Sequence, residues 1–381
     1  MKLALVIYSL GEGGAERVMS SMANHWSRKG AGVSLVTLDA VAADRYPLDP
    51  QVRRVALGLS GDSSNPVQGM ANNFRRVVQL RKALRELRPE AVICFMESTN
   101  VLTILATRGL GVKVIVMEHT NPEIHQVGRL WNTLRRWTYR FADRVGVLTE
   151  RTRPWAEKLA DPGAVFVLPN PIQISPPGAA GDMDLRAFSN LPASARILVS
   201  MGRLAPEKGF DLLIRAFAPL AGIHPDFHLV ILGEGVERGA LEAARASCGL
   251  EGRVHLPGRV ENPMACLRQC DLFVMSSRYE GFPMALCEAM ASGLPVISFD
   301  CPTGPGEIIR DQVDGILVPA GDAPALTRAM GRLMGDAAAR EAMGGRGPEG
   351  MLRFSEERIM AEWDRLLSDL NLGTAARSPR S

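Results

Sequence analysis

Short runs of aliphatic and β-branched residues alternate with amphipathic segments through the first part of the chain. Strand-like runs fall at 3–8, 33–38, 91–95, 113–117, 144–148 and 165–168, with helical spacing at 15–28, 74–87, 101–108, 129–141 and 151–160 between them. This alternation predicts a parallel, doubly wound sheet covered by helices. The pattern breaks across 169–195, where proline, glycine and alanine accumulate as they do in linkers. It restarts with strands at 196–201, 228–232, 254–256, 272–275, 295–299 and 315–318, and helices at about 208–220, 236–248, 262–269, 284–292 and 323–335. The expected fold class is α/β, with two Rossmann-like, doubly wound parallel-sheet domains facing across a cleft and ligands at the carboxyl ends of the strands. The expected boundaries are 1–172 for the first domain, 173–195 for a linker and 196–355 for the second domain. An amphipathic stretch with Trp363, Leu366 and Leu367 predicts a last helix over 356–372 that crosses back to the first domain. The small, polar tail 373–381 is expected to be disordered. Closure about the hinge is expected to accompany ligand binding.

Composition narrows the class. A chain of 381 residues suits two domains, and 46% hydrophobic with 22% charged residues is the balance of a soluble globular protein. No apolar run reaches the ~18–20 residues of a membrane span. The run from Leu3 to Leu10 behind Lys2 reads as a buried first strand and not as a signal peptide, so a cytoplasmic location is expected. Six scattered cysteines form no CxxC pair and stand at no zinc-ligand spacing with histidine, which fits buried, reduced thiols.

The net charge of +3 hides an asymmetry. Residues 1–175 hold 23 Lys and Arg against 15 Asp and Glu, and the remainder holds 21 against 26. The stretch 72–88 carries Arg75, Arg76, Arg81, Lys82, Arg85 and Arg88 against Glu86 alone. The stretch 129–153 carries seven arginines with Trp131, Trp137, Tyr139 and Phe141 among them. Basic helices with interfacial aromatics suit an anionic membrane surface or the diphosphate of a lipid-linked ligand, and a solvated charged face is the plain alternative. The acidic second half and the lack of a recognition motif argue against nucleic acid.

The candidate chemistry sits in the second half. In Gly202-Arg203-Leu204-Ala205-Pro206-Glu207-Lys208-Gly209, a strand ends and a helix begins, so Arg203 and Lys208 stand at a carboxyl edge where two cations can embrace a diphosphate. In Glu280-Gly281-Phe282-Pro283-Met284-Ala285-Leu286-Cys287-Glu288, a turn opens a helix whose free N–H groups suit a phosphate. Glu288, one turn in, can accept from a ribose diol, and Glu280 before the turn is placed to meet a sugar. Cys301-Pro302-Thr303-Gly304-Pro305-Gly306-Glu307 is a further edge loop, with Glu307 either a helix-start carboxylate or a substrate contact.

The pair of motifs Gly202-Arg203…Lys208-Gly209 and Glu280…Glu288 resembles retaining glycosyltransferases of family 4, which have the GT-B fold. The stretch 278–319 is similar to members that build bacterial surface polysaccharides and lipid-linked oligosaccharides. The resemblance implies a nucleotide-sugar donor, UDP-linked, and a glycan or polyprenyl-diphosphate-linked acceptor. It implies that Arg203 and Lys208 neutralise the donor diphosphate, Glu288 holds the ribose and Glu280 contacts the transferred sugar. Arg259 and Val260 would fall in the base-binding segment and Gly233 in the glycine turn after the preceding strand.

In the first half, Gly13 and Gly14 belong to a glycine-rich strand-to-helix turn that lets a ligand approach the backbone, although its order is not GxGxxG. By resemblance this loop lies beneath the donor diphosphate. His119, after the strand at 113–117, matches the family's active-site histidine, with Glu118 and Asn121 as weaker candidates. No carboxylate in this half suits a nucleophile, so the resemblance implies same-face displacement stabilised by Arg203, Lys208 and helix N–H groups. No cofactor and no metal are expected, on the reading that the sequence contains no Asp-x-Asp motif. A peripheral position on the inner face of the cytoplasmic membrane follows. Two alternatives stand beside this: a UDP-sugar 2-epimerase of the same fold, and a catalytically silent glycan-binding relative.

Overall fold

The computed structural model describes residues 1–11, 13–61, 65–124, 127–174 and 183–372. The chain divides into two compact units, one of residues 1–171 with 359–381 and one of residues 172–358.

The first unit is built on seven parallel strands: β1 (Lys2–Ile7), β2 (Gly32–Thr37), β3 (Arg53–Ala56), β4 (Ala91–Phe95), β5 (Lys113–Met117), β6 (Arg144–Val147) and β7 (Val165–Val167). They lie in the order β3-β2-β1-β4-β5-β6-β7. Leu5 of β1 sits between Leu35 and Ile93, so β1 is central and its residues 3–7 are buried. Burial on both faces is what makes these strands read as continuous apolar runs.

The second unit repeats the plan with six parallel strands: β8 (Arg196–Met201), β9 (Phe227–Leu232), β10 (Val254–Gly258), β11 (Leu272–Met275), β12 (Val296–Asp300) and β13 (Ile316–Pro319). Their order is β10-β9-β8-β11-β12-β13. Each sheet therefore winds outward in both directions from its first strand, and the chain reverses direction between β1 and β4 and between β8 and β11. Such switch points are where strand-end loops splay apart and ligands bind in open α/β sheets.

Three local features differ from the pattern reading. Strand β3 is half-buried at the sheet edge and begins with two arginines, so it lacks an apolar signature; Arg54 instead pairs with Asp44 at 2.8 Å and donates to Thr37 Oγ1 at 2.7 Å. The helix expected at 74–87 spans Pro66–Leu87, because Asn65 accepts from the Gln68 N–H at 2.8 Å and Pro66 occupies the first turn. The proline-rich stretch read as a linker is partly structured. Asp184 caps a short helix, Leu185–Phe188, and Leu185 is buried. Gln269 accepts from the Leu185 N–H at 3.0 Å and donates to the Met183 carbonyl at 2.7 Å. Residues 175–182 of that stretch and the tail 373–381 lie outside the described residues.

The helix Glu356–Asp369 ends in the first unit through one aromatic anchor. Trp363 is 2% exposed and meets Trp26 and Phe166 edge-on at centroid distances of 6.2 and 5.8 Å. Next to it, Asp364 accepts from Trp26 Nε1 at 2.9 Å and from Lys29 Nζ at 2.7 Å. Replacing Trp363 by alanine is expected to destabilise the first unit by about 3–5 kcal/mol through the cavity it leaves. Urea denaturation followed by circular dichroism reads this as an earlier first transition, and an unchanged midpoint would show that the anchor is dispensable.

Candidate active site

The loops that leave β8 and β11 are bound to one another at the switch point of the second unit. Ser276 Oγ donates to the Lys208 carbonyl at 3.0 Å, and the Arg278 N–H donates to the Glu207 carbonyl at 2.8 Å. The Arg278 guanidinium donates to the Pro206 carbonyl and reaches both Asp211 oxygens at 2.9 Å. The approach is close enough to demand glycine at Gly209, where φ is +61° and a Cβ would lie 2.2 Å from the Ser276 carbonyl oxygen. On the other side of β8, a Cβ on Gly233 would lie 1.9 Å from the Gly202 carbonyl oxygen, again at positive φ. Backbone bonds from Gly202 N to Leu232 O (3.0 Å), Leu204 N to Glu234 O (2.9 Å) and Gly233 N to Gly258 O (2.8 Å) carry the contact out to β10.

This frame brings Lys208 and Glu280 together. Lys208 Nζ donates to both Glu280 oxygens, at 2.7 and 3.0 Å, with both side chains largely shielded from solvent. Ser277 Oγ donates to Glu280 Oε1 at 2.6 Å, and Thr303 Oγ1 donates to the Glu280 carbonyl, so side chain and backbone are each held. Arg203 is exposed and leans on Glu207 at 3.3 Å. Past the turn, Gly281 leads to the buried Phe282 and Pro283 and then to the helix Met284–Ala291, whose N-terminus no side chain caps. Phe282 is braced edge-on by Phe354 at 5.4 Å. Met284 and Ala285 open the helix half-buried, and Glu288 lies buried one turn in. Arg259 follows β10 on the exposed side and acts electrostatically on Glu234; Val260 is half-buried. Glu307 contributes its backbone carbonyl as an acceptor from Arg353 at 3.0 Å.

The remaining candidates lie in the first unit. Gly13 is extended and precedes the helix Gly14–Arg28, and its carbonyl accepts from the Tyr46 hydroxyl at 3.1 Å. His119 stacks on Phe95 at a centroid distance of 4.0 Å, and its Nε2 is buried without a hydrogen-bond partner among the described residues. Burial holds its imidazole down to about 3, so the ring is neutral. Glu118 beside it is buried. Its Oε1 accepts from the Tyr139 hydroxyl and from Arg135 Nη1 (3.3 Å), while Asn100 Nδ2 donates to the Tyr139 oxygen at 3.0 Å. Burial pushes the Glu118 carboxyl up to about 7 despite the opposing pull of Arg135 and of the Tyr139 hydrogen bond.

The sequence reading did not find Ser277 and Thr303 as supports of Glu280, nor Arg135, Tyr139 and Asn100 around Glu118. Ser277 stands three residues before Glu280, a spacing that a tight turn brings together. Nothing in the spacing links Arg135 or Tyr139 to Glu118. One assumption is corrected: the chain does contain an Asp-x-Asp triplet, Asp182-Met183-Asp184. Asp182 lies outside the described residues, and Asp184 spends its carboxylate capping the helix Leu185–Phe188, at 2.9 Å from the Arg186 N–H and 3.2 Å from the Ala187 N–H.

Two doubly wound parallel sheets, one with cations and an uncapped helix at its switch point, define an α/β protein of two Rossmann-like units. Residues 183–350 match the family Glycosyl transferases group 1, and residues 13–171 match the Glycosyl transferase 4-like domain. The chain is 28% identical, over 97% of its length and 99% of the relative's, to the GalNAc-alpha-(1->4)-GalNAc-alpha-(1->3)-diNAcBac-PP-undecaprenol alpha-1,4-N-acetyl-D-galactosaminyltransferase of Campylobacter jejuni. It is 27% identical, over 90% of its length and 92% of the relative's, to that organism's N-acetylgalactosamine-N,N'-diacetylbacillosaminyl-diphospho-undecaprenol 4-alpha-N-acetylgalactosaminyltransferase. Its fold matches sucrose-phosphate synthase of Thermosynechococcus elongatus with a TM-score of 0.83 at 20% identity, covering 97% of this chain and 99% of that one. It also matches Anabaena HepE in complex with UDP with a TM-score of 0.78 at 19% identity, covering 97% and 100%. The two models together take in most of the chain, which is a glycosyltransferase with the GT-B fold.

The raised Glu118 carboxyl has a consequence for stability. Its folded value near 7 lies above the ordinary 4.5, so it contributes stability in full below about 4.5 that is lost as pH rises through 7. Wild type is therefore expected to lose stability relative to Glu118→Gln between about pH 5 and about pH 8. Urea midpoints at the two pH values measure this, and parallel behaviour of the two proteins would count against it.

Proposed function

We propose that this glycosyltransferase moves a sugar, with retention of configuration, from a UDP-sugar to a glycan carried on a polyprenyl diphosphate. The observation that carries the reading is the bridge from Lys208 to Glu280, which sets a cation and a carboxylate side by side at the switch point. Lys208, Arg203 and the amides opening the helix Met284–Ala291 neutralise the departing diphosphate. Glu280 meets the transferred sugar and Glu288 accepts from the ribose diol. The acceptor hydroxyl attacks the anomeric carbon on the face from which UDP leaves, and its proton passes to the departing phosphate oxygen. Protein cations and amides supply the positive charge, so the reaction is proposed to run without a metal or other cofactor. The polyprenyl-diphosphate acceptor is supported by the names of the two Campylobacter relatives, and UDP by the HepE complex.

The donor reading is tested by thermal shift with UDP, GDP and ADP in EDTA. A nucleotide at ~100 times its dissociation constant adds about 2.7 kcal/mol, a shift of a few degrees. UDP alone is expected to stabilise the protein, and Lys208→Ala to abolish that response and cut transfer by about 10²–10³-fold. Full transfer by the Lys208 variant would sink its assigned role. An isomerised nucleotide-sugar product would identify an epimerase instead, and binding without turnover a silent relative.

The same reading places the protein at the inner face of the cytoplasmic membrane, on anionic lipid. No helix among the described residues is long and apolar enough to cross a membrane. The helix Pro66–Leu87 instead exposes Val67, Met70, Phe74 and Val78, spaced as one stripe, with the exposed cations Arg75, Lys82 and Arg85 on the same helix. An apolar stripe among cations suits insertion at a lipid headgroup boundary. Sedimentation with phosphatidylglycerol vesicles is expected to pull down wild type, and Met70→Ser with Phe74→Ser to reduce the bound fraction several-fold. Equal binding to phosphatidylcholine would overturn the electrostatic part, and an unaffected double variant the insertion.

A further inference from the structure

The first unit contains a cavity of about 730 Å³ that the donor chemistry does not use. It lies where the helix Arg129–Thr138 meets the short helix Arg153–Ala156 and the residues after it, beside the loop that follows β5. Its size is that of a small-molecule site. One part of its lining is apolar, from Pro122, Trp155 and Leu159, and the other is cationic, from Arg135, Arg136 and Lys158.

The three cations are not equivalent. Arg135 is buried and already committed: Nη1 lies 3.3 Å from Glu118, Nη2 donates to Asn132 Oδ1 at 2.8 Å, and the guanidinium covers the Trp155 ring at 4.7 Å. It fixes the indole as a wall. Arg136 and Lys158 are exposed and have no acidic partner among the described residues. Against them the cavity sets only Glu123. Two cations without an acidic partner among the described residues, in one cavity with the apolar side chains of Pro122, Trp155 and Leu159, match a ligand with a doubly charged head and a hydrocarbon body.

We propose that this cavity binds a phosphate or diphosphate ester of an apolar alcohol, with the head on Arg136 and Lys158 and the chain along Trp155 and Leu159. The site deepens the acceptor reading above and rests on it. A nucleotide fits less well, because the lining pairs its cations with hydrocarbon and one carboxylate, Glu123, and with no carboxylate pair of the kind found at Glu280 and Glu288.

The test is direct titration calorimetry on the full chain with farnesyl diphosphate, inorganic diphosphate and farnesol. Farnesyl diphosphate is expected to bind wild type at least ~10-fold more tightly than either fragment. Arg136→Ala with Lys158→Ala is expected to weaken it by a similar factor, and Trp155→Ala to weaken the ester while leaving inorganic diphosphate unchanged. Unchanged affinity in the double variant would overturn the proposal. Inorganic diphosphate binding as tightly as the ester would overturn the apolar half of it and leave a simple phosphate site. Two controls separate this from the function proposed above. The double variant is expected to keep its thermal response to UDP, and Lys208→Ala to keep farnesyl diphosphate binding. Competition of UDP with farnesyl diphosphate for one site would place both ligands in the second unit and refute the cavity assignment.

Discussion

The parallel pairing of β8 with β11 is the constraint on which the candidate active site depends. These strands are neighbours in the sheet but far apart in sequence, and each sends its loop out at the same edge. The two loops hold each other through the Ser276, Arg278 and Glu207 bonds, and Gly209 is the residue that lets the two backbones come within reach. Only after that docking do Lys208 and Glu280, 72 positions apart in sequence, share a pair of hydrogen bonds. Topology thus precedes chemistry: move the strand order and the same residues would be two unrelated surface charges.

The pair itself is a device for positioning more than for stability. A shielded ion pair gains in Coulomb energy roughly what it loses in desolvation, and net stabilisation is small. Its geometry is nonetheless held from three further directions, by Ser277 on the carboxylate, Thr303 on the Glu280 carbonyl and Ser276 on the Lys208 carbonyl. Groups locked in this way need little rearrangement when charge develops beside them, which is the condition under which electrostatic stabilisation is effective. Glu118 in the first unit shows the opposite balance. It has two donors on one oxygen and none on the other among the described residues, and burial wins over its cation.

Most of the architecture was legible because buried parallel strands have no polar face to disguise them. The exceptions follow from the same logic. Strand β3 satisfies its arginines at the sheet edge and so carries no hydrophobic signal, and the stretch 183–195 gains its structure from Gln269, more than seventy residues away. The strand-edge positions of the charged candidates were readable because each stands next to a strand end and a helix start, a local feature. Ser277 was within reach of the same argument. Arg135 and Tyr139 were not, since their partner Glu118 reaches them only through the packing of a helix across β5. The Asp182-Met183-Asp184 triplet shows the converse, a motif whose spacing promises a metal while Asp184 serves as a helix cap.

The two sheets share one strand order around their first strands, so topology by itself assigns neither a task. What separates them is the lining of their edges. The second unit, acidic in sum, gathers Arg203 and Lys208 and the start of a helix that no side chain caps at its switch point. The first unit, basic in sum, spreads its cations along the helices Pro66–Leu87 and Arg129–Thr138, which also expose Phe74, Leu130 and Trp137. Charge without confinement acts over a Debye length and favours extended anionic surfaces, whereas confined charge selects a single group. The asymmetry first seen as a difference in residue counts is therefore also one of placement: cations spread along helix faces in one unit, and a cation held against a carboxylate at a strand-end loop in the other.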